Sequence, residues 1–293
     1  MTIAYITYEN VGKYVSNTSS DDEDTVLLNF LIQKGYPIKE EIWTDETVVW
    51  ENYTHAIIKS PWDYFDKYPT FLHWLKKLED LGIQMLNPIE IIRWNSDKHY
   101  LKEIAEAGLK VTPTAFCEKD SQPKLSEYFQ IFNQDELVIK PVVSGGSKNT
   151  LRFNRENAAQ IENQIHQLLK DEAFMVQPFL KEIAENGEWS FLFFNGKYSH
   201  SILKKAKAGD FRVQHYLGGT IHPQQPSEEE IAQAQAYVDT FAKGCLYARV
   251  DGAFMKDEFV LMELELIEPF LFLFTHDDAL QNYEHALNTL LQH

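Results

Sequence analysis

Cysteine is scarce in this sequence, with two residues in a chain of 293. Cys117 and Cys245 lie far apart and form no Cys-x-x-Cys pair. This scarcity excludes a disulfide framework and a cysteine-based zinc site. It suits a reducing compartment, and we expect a cytoplasmic protein.

Basic residues are outnumbered as well: 27 Lys and Arg stand against 44 Asp and Glu, a formal net charge of −17. Such a charge repels nucleic acids and anionic membranes, so neither is an expected partner. A phosphate-bearing ligand has to be held locally, by a few placed Lys or Arg side chains and by metal ions. Long apolar runs and a signal-peptide pattern are lacking too, which predicts a chain without a membrane segment.

Several common catalytic signatures are missing. The sequence has no Gly-x-Gly-x-x-Gly, which removes the usual signal for a dinucleotide. It has no His-Glu-x-x-His and no Gly-x-Ser-x-Gly, the patterns of zinc proteases and serine hydrolases. The chemistry therefore has to be sought among lysines, arginines and carboxylates.

The first part of the chain alternates between strand and helix patterns. The predicted elements are strands at 3–8, 37–43 and 56–60 and helices at 21–34 and 68–81. Strands that are separated by helices pair in parallel. We therefore interpret residues 1–88 as a small Rossmann-like α/β domain.

The rest of the chain favours β-hairpins. Two strands at 137–141 and 150–153 flank a glycine-containing loop, and Asn195-Gly196 between apolar runs is a strong hairpin signal. Further predicted elements are helices at 96–107, 155–170 and 227–243 and strands at 174–180, 246–251 and 258–267.

The Gly145-Gly146 pair and Lys140 form a first candidate site. Lys140 ends an apolar strand that fixes its charge, and the glycines let backbone N–H groups close over an anion. Lys98, at a predicted helix start, is a weaker candidate. The alternatives are a flexible hairpin tip for the glycines and ordinary solvent-facing lysines.

Three carboxylates form a second candidate site. A period of two places Glu263 and Glu265 on one face of a strand, and Asp251 lies on the preceding strand of an inferred hairpin. The apolar residues predicted for the same face are Phe259, Leu261 and Ile267. Carboxylates without His or Cys suit Mg²⁺ that bridges to phosphates, and the alternative is a solvated outer face.

Charged residues near these carboxylates are further candidates. Arg249 points to the same face as Asp251 and suits a substrate carboxylate or the oxyanion of a tetrahedral intermediate, with a structural salt bridge to Glu263 as the alternative. Glu188 opens a strand, where it could accept from a ribose hydroxyl. A basic cluster, consisting of Lys204, Lys205, Lys207 and Arg212, suggests an anion pocket in an otherwise acidic chain.

Trp62, Asp63 and Tyr64 follow a predicted strand end. In open α/β sheets this is the usual place for a ligand-binding loop, which makes the three residues substrate-site candidates. A role at a domain interface is the alternative.

Taken in order, eight motifs between about residues 90 and 275 resemble the ATP-grasp superfamily. They are Lys98, VIKP with Lys140, SGGS, VQPFL, GEWSF, GDFRVQHYLGG, RVDG and MELELIEP. More narrowly, SPWDYF, LNP, WNSDK and ELELIEP look like the branch that includes D-cycloserine synthetase, beside glutathione synthetase and RimK-like ligases. The resemblance implies an α/β (α+β) ATP-grasp fold with a pre-ATP-grasp domain at 1–88, a central subdomain at 89–176 and a C-terminal subdomain at 177–293.

The resemblance also implies roles for individual residues. The nucleotide-binding residues would be Lys98, Lys140, Ser144, Gly145, Gly146, Ser147, Gln177, Pro178, Phe179, Leu180 and Glu188. The ligands of two Mg²⁺ ions, or of Mn²⁺ in their place, would be Asp251, Glu263 and Glu265. The catalytic residues would be Arg212 and Arg249, and the substrate-site residues Trp62, Asp63, Tyr64, Gly218 and Gly219.

Two residues depart from the family pattern. Glu265 stands where many relatives have Asn, which adds negative charge. Phe270 stands where a small residue such as Ser is expected, which predicts a reshaped or narrowed substrate pocket.

The implied reaction is ATP-dependent ligation. A small, amino-acid-like carboxylate attacks the γ-phosphate, and the resulting acyl phosphate is captured by an amine or similar nucleophile, possibly within one molecule. The alternatives are an ATP-dependent small-molecule kinase and a nucleotide-binding regulatory module. The expected partners are the carboxylate and the amine, and a homodimer is left open.

Overall fold

The N-terminal part of the protein is a parallel sheet flanked by helices. The computed structural model describes residues 1–9, 23–207 and 218–292. The strands β1 (Ile3–Thr7), β2 (Ile38–Ile42), β3 (His55–Ile58) and β4 (Gln84–Met85) pair in parallel in the order β2-β1-β3-β4. The helices are α1 (Glu23–Gln33) and α2 (Tyr68–Asp80). The predicted parallel α/β arrangement of this region is confirmed.

A second, antiparallel sheet follows, in the order β5-β8-β6-β7. Its strands are β5 (Ala115–Cys117), β6 (Glu136–Pro141), β7 (Leu151–Asn154) and β8 (Phe174–Pro178). The helices of this part are α3 (Ile89–Asn95), α4 (Tyr100–Glu106), α5 (Leu125–Ile131) and α6 (Ala158–Leu168). The strand-loop-strand prediction around Gly145-Gly146 is confirmed, because β6 and β7 pair directly.

The helix predicted for 96–107 is shorter than expected, and two helices of this central part, α3 and α5, were not predicted. The structure has α3 before it and a break that contains Lys98, whose backbone N–H donates to the Val142 carbonyl (2.9 Å). That bond to another element separates α3 from α4. α5 was missed because it buries only Leu125 and Phe129, too few residues for a clear period.

The C-terminal part contains an antiparallel sheet of five strands, in the order β11-β10-β9-β12-β13. Its strands are β9 (Glu188–Phe194), β10 (Lys197–Lys205), β11 (Thr220–Gln224), β12 (Tyr247–Met255) and β13 (Glu258–Glu265). Its helices are α7 (Lys181–Asn186), α8 (Glu228–Phe241) and α9 (Ala279–Leu291). Asn195 and Gly196 have φ of 45° and 73°, the turn that the sequence predicted between β9 and β10.

A β-bulge in β13 corrects the predicted faces of that strand. Asp251 pairs with Glu263, but Gly252 pairs with Leu261, so Met262 is an extra residue and the alternation changes phase. The prediction that Phe259 and Leu261 share a face with Glu263 and Glu265 is therefore wrong. Phe259 and Leu261 pack instead in one cluster with Leu264 and Leu266.

Gly252, opposite the bulge, has no room for a side chain. A Cβ atom there would lie 2.3 Å from the Val260 carbonyl oxygen. Glycine therefore allows β12 and β13 to approach closely where the strand changes phase.

The largest core is shared by the two ends of the chain. Strand residues such as Ile6 and Ile58 pack in the same cluster as Leu271, Tyr283 and Leu287. The first domain thus depends on the last helix. None of the helices in the described part of the chain is both long and apolar enough to cross a membrane.

Candidate active site

A cavity of about 360 Å³ lies where the sheets meet, and residues of the N-terminal, central and C-terminal parts line it. The structure brings most of the predicted site residues to it. They are Trp62, Tyr64, Lys98, Lys140, Ser144, Gly145, Gly146, Ser147, Gln177, Pro178, Phe179, Leu180, Glu188, Arg249, Asp251, Glu263 and Glu265. Residues more than 200 positions apart in the sequence therefore share one site.

Three of the described residues that were predicted, Asp63, Gly218 and Gly219, do not line the cavity. The Asp63 carboxylate accepts from Trp43 Nε1 and from Lys67 Nζ, both at 2.7 Å, which directs it into its own domain. Gly218 and Gly219 lie beside β11 and do not line the cavity. Arg212 lies outside the described residues.

The glycine-containing loop, residues 144–147, covers one side of the cavity. Lys98 Nζ donates to the Ser144 carbonyl oxygen (2.7 Å), and Ser144 Oγ donates to the Pro141 carbonyl oxygen (3.0 Å). A Cβ atom on Gly145 would lie 2.6 Å from the ring of Phe65, so the loop backbone lies directly against the N-terminal domain. Glycine is required here for close approach.

The two predicted phosphate-binding lysines differ in their surroundings. Lys98 Nζ forms an ion pair with Glu263 (2.9 Å). Lys140 Nζ has no hydrogen-bond or ion-pair partner within the described residues, although it lines the cavity. Burial lowers the pKa of Lys140, and the charge of Glu263 opposes this. Lys140 is therefore a cation that the described part of the chain leaves without a bonded partner.

Asp251 lies at the centre of a buried charge network. Its carboxylate accepts from Ser190 Oγ (2.6 Å), from Lys204 Nζ (3.1 Å) and from the Arg249 guanidinium (2.9–3.1 Å). Burial alone would raise the pKa of Asp251, but Arg249 and Lys204 outweigh it and hold the pKa at about 2. Asp251 is thus ionised and fully partnered.

Lys204 does not belong to an exposed anion pocket, which corrects one of the interpretations. It is buried between Asp251 and Glu188, with which it forms an ion pair. Its charge is therefore already compensated by two carboxylates of the cavity wall. Lys205 next to it is exposed.

Arg249 forms its ion pairs with Asp251 and Glu265, and the expected alternative of a bridge to Glu263 is wrong. Arg249 also donates to the Phe270 carbonyl oxygen (2.9 Å). The register explains the choice, because Arg249 lies opposite Glu265 whereas Glu263 lies opposite Asp251. Arg249 thus links β12 to both β13 and the segment that follows it.

Glu263 and Glu265 are the acids that remain open to the cavity. Their side chains are 29% and 25% exposed, against 4% for Asp251. Burial, together with the charges of Asp251 and Glu263, raises the pKa of Glu265 to about 7 in spite of Arg249. Negative charge is therefore crowded at this wall of the cavity.

The predicted ligand set does not form a ready metal cage. Within residues 1–9, 23–207 and 218–292, no three His, Cys, Asp or Glu side chains are grouped to hold a metal ion. The donor chemistry nevertheless fits a hard divalent cation, because Glu263 and Glu265 present carboxylates to the same cavity. Such a pair suits an ion that takes its other ligands from phosphates and water.

An apolar wall lies on the side of the predicted adenine segment. Leu180, Ile183 and Met262 pack together and line the cavity. The Gln177 side chain donates to Thr114 Oγ1 (2.9 Å), and the Phe179 N–H donates to the Glu136 carbonyl oxygen (3.0 Å). This wall can take a flat, apolar ring.

Tyr100, Glu268 and Phe274 are among the lining residues that were not singled out from the sequence. The Tyr100 hydroxyl accepts a hydrogen bond from the Leu264 N–H (3.0 Å), and this bond fixes β13. Glu268 and Phe274 also line the cavity. The signal for Glu268 was its place in ELELIEP, three residues after Glu265 in a segment that leaves the sheet.

Comparison with known families explains this arrangement. Residues 102–254 match the family model described as the ATP-grasp domain of prokaryotic glutathione synthetase. The chain belongs to the ATP-grasp family. In this ATP-grasp ligase, residues 3–87 also match a model described as the N-terminal domain of D-cycloserine synthetase DcsG.

Individual relatives agree. Cycloserine biosynthesis protein DcsG of Streptomyces lavendulae is 26% identical over 269 residues, which cover 84% of this chain and 86% of that protein. The crystal structure of D-cycloserine synthetase DcsG superposes with a TM-score of 0.85 at 24% identity, covering 98% of this chain and 99% of that one. D-alanine–D-alanine ligase from Bacillus anthracis, complexed with ATP, has a TM-score of 0.69 at 17% identity, covering 100% of this chain and 96% of that one.

These structural likenesses show the fold, and the family shows the class of reaction. ATP-grasp ligases use ATP and divalent metal ions and join a carboxylate to an amine. The predicted ATP-grasp fold and ligase class are thereby confirmed.

Proposed function

We propose that this ATP-grasp ligase activates a small, amino-acid-like carboxylate as an acyl phosphate and transfers the acyl group to an amine. The observation that supports this is the charge layout of the cavity. The uncompensated Lys140 lies in the same cavity as the glycine-containing loop, and Arg249 and the pair Glu263/Glu265 line another wall. The names of the DcsG and D-alanine–D-alanine ligase relatives are those of enzymes acting on amino-acid-like substrates.

The nucleotide would lie between the glycine-containing loop and the apolar wall. The adenine would rest against Leu180 and Met262, and Glu188 would receive the ribose. Lys98 and Lys140 would bind the phosphates, so that their charges stabilise negative charge as it moves from the γ-phosphate to ADP. Mg²⁺ held by Glu263 and Glu265, with Asp251, would supply further charge stabilisation when bound.

Arg249 would bind the substrate carboxylate. Its guanidinium is fixed by Asp251, Glu265 and the Phe270 carbonyl, so its orientation costs little upon binding. Trp62 and Tyr64 would enclose the same substrate from the N-terminal domain. The carboxylate oxygen would then attack the γ-phosphate, ADP would leave, and an amine would displace phosphate from the acyl carbon.

Several finer features are part of the proposal. Two Mg²⁺ ions are the proposed number, with Mn²⁺ as a substitute. The division at residues 88 and 176, the cytoplasmic location and the open question of a homodimer stand as predictions. Where the acid and the nucleophile belong to one molecule, the proposed reaction is a cyclisation. The name of the relative D-cycloserine synthetase indicates such a cyclic product.

The test is ADP release from Mg·ATP over a panel of D- and L-amino acids and their O-ureido derivatives. Hydroxylamine is added to trap acyl phosphates as hydroxamates. ADP release that depends on the acid and yields a hydroxamate is the expected result, and it names the acid. A stable phosphorylated product would indicate a kinase. The absence of ADP release with every acid in the panel would contradict the proposal and favour a binding module.

A further inference from the structure

The segment that follows β13, residues 266–273, is fixed by side chains from distant elements. Trp62 Nε1 donates to the Glu268 carbonyl oxygen (3.0 Å), and Lys59 Nζ donates to the Pro269 carbonyl oxygen (3.2 Å). The Glu23 carboxylate accepts from the N–H groups of Leu271 (2.7 Å) and Leu273 (3.0 Å). The segment therefore presents its remaining side chains from a rigid backbone.

Glu268 lines the cavity, and its carboxylate differs from the others there in its contacts with the described residues. The other four carboxylates that line the cavity each form an ion pair: Glu188 with Lys204, Asp251 with Lys204 and Arg249, Glu263 with Lys98, and Glu265 with Arg249. In the described parts of the chain, the Glu268 carboxylate has no hydrogen-bond or ion-pair partner. Burial, and then the charge of Glu265, raises its pKa to about 8. A carboxylate left in this state lacks a cation.

Aromatic rings line the same cavity. Trp62 donates to the Glu268 carbonyl oxygen, and Phe270 lies two residues after Glu268 in the chain, with its ring 5.0 Å from Phe272 and 6.3 Å from Phe274. Phe274 is 53% exposed although it is aromatic and lines the cavity. Aromatic faces attract ammonium groups and also bury apolar side chains.

This aromatic wall is separate from the wall proposed for adenine. Trp62, Phe270 and Phe272 belong to the core cluster of the N-terminal domain, whereas Leu180 and Met262 belong to a different small cluster. With the nucleotide on the second wall, the first wall is left for the substrate. Its Glu268 would then meet a cationic group of that substrate.

We propose that Glu268 binds the ammonium group of an amino-acid substrate whose apolar side chain packs against Phe270. The inference deepens the proposed ligase function and rests on it. Arg249 takes the carboxylate of the same substrate, and Arg249 donates to the Phe270 carbonyl, so the acid and ammonium subsites share one support. The substrate class is an amino acid with a free amino group and an apolar or aromatic side chain.

The test measures binding by calorimetry in the presence of Mg²⁺ and a non-hydrolysable ATP analogue. The probes are the two enantiomers of phenylalanine and 3-phenylpropanoate, which has the same side chain and carboxylate but no amino group. The wild type is expected to bind the better enantiomer at least about 10-fold more tightly than 3-phenylpropanoate, the usual scale of a hydrogen bond to a charged group. Glu268→Gln should remove this preference and leave the affinity for 3-phenylpropanoate unchanged.

Controls separate a binding role from a structural one. Glu103→Gln, an exposed glutamate on α4, should keep the preference. Glu268→Asp keeps the charge and should keep part of the preference. This variant is measured in place of Glu268→Gln if Glu268→Gln does not fold. Phe270→Ser should reduce the preference for phenylalanine over alanine.

Three results would overturn the inference: equal affinity of the wild type for phenylalanine and 3-phenylpropanoate, an unchanged preference in Glu268→Gln, or no binding of either probe. The hydroxamate assay with the wild type is run in parallel. Hydroxamate formation together with any of these three results would reject the Glu268 subsite and leave the ligase function standing, whereas an acid-independent ADP release would reject the ligase function itself.

Discussion

At the scale of single residues, carboxylates of the same cavity have unequal surroundings. Asp251 is enclosed by Arg249, Lys204 and Ser190, whereas Glu263 has one partner and faces the cavity. Removing Asp251 takes a bond from three buried groups, whereas removing Glu263 takes one from Lys98 alone. Equal loss of activity can therefore come with unequal loss of stability.

Glu263→Gln and Asp251→Asn are both expected to abolish turnover, because each removes a carboxylate proposed to hold the metal ion. Both variants should destabilise the fold, and Asp251→Asn should do so more, with a loss of about 3–5 kcal/mol, because Arg249, Lys204 and Ser190 all bond to Asp251 whereas Lys98 alone pairs with Glu263. ADP release and denaturant unfolding of the two variants, side by side, measure the difference. Full activity in both variants would contradict the metal assignment.

Lys140→Ala is expected to weaken ATP binding by about 10-fold or more, the scale of a lost charged hydrogen bond. The thermal midpoint should change little, because Lys140 has no bonded partner in the described structure to leave behind. Lys102→Ala, on the exposed face of α4, is the control. Unchanged nucleotide affinity in Lys140→Ala would place the phosphates elsewhere.

At the scale of elements, the glycine-containing loop is the part whose shape the sequence constrains most. Gly145→Ala places a Cβ atom 2.6 Å from the Phe65 ring, so the loop or the ring must move. Overpacking of this kind costs about 1–3 kcal/mol. We expect weaker ATP binding in Gly145→Ala and recovery when Phe65→Leu is added.

A double-mutant cycle checks this coupling. The affinity for ATP is measured in the wild type, the two single variants and the double variant. Additive losses would show that the contact between Gly145 and Phe65 does not control the loop.

The elements also show what the sequence could and could not predict. The turn at Asn195-Gly196 was predictable because its residue types fit positive φ, and α2 because Phe71, Trp74, Leu75 and Leu78 repeat along one face. The bulge at Met262 was not predictable, because one extra residue in a strand does not change the amino-acid composition. Position after a strand did not reveal that Asp63 points to Trp43, because that contact depends on the tertiary fold.

The sequence predicted which residues line the site better than it predicted which of them form ion pairs. Most of the candidate residues line one cavity, because order along the chain carries the family pattern. Which cation meets which carboxylate depends on strand register, and so Arg249 pairs with Glu265 where Glu263 was considered. The roles of these residues remain predictions until the variants are measured.

At the scale of the whole molecule, buried His200 connects the sheet to the segment after β13. Its Nε2 lies 2.9 Å from the Leu271 carbonyl oxygen, and its Nδ1 lies 2.9 Å from Ser199 Oγ. Burial lowers the pKa of His200 to about 4, from an ordinary value near 6.5. The unfolded chain therefore takes up a proton at a higher pH than the folded protein does.

The free energy of unfolding should consequently fall as the pH is lowered from 6.5 to 4, by up to about 3 kcal/mol from this group. Above pH 6.5 His200 should contribute no pH dependence. His200→Gln is expected to flatten this part of the profile, and His73→Gln, an exposed histidine on α2, should leave it unchanged. Urea unfolding at several pH values measures both, and an identical slope in His200→Gln would contradict the assignment.

The core shared by the two ends of the chain has a consequence for biosynthesis. Ribosomes deliver the N-terminal strands first, yet Tyr283 and Leu287 of the same core are made only after the two other sheets. Until these residues are made, the N-terminal strands expose apolar surface. The Glu23 carboxylate, which forms buried ion pairs together with Asp24 and Lys59, also lacks the Leu271 and Leu273 N–H groups that donate to it. The core beside the active site is therefore incomplete until α9 has been made, and a chain that stalls short of α9 is expected to expose this apolar surface.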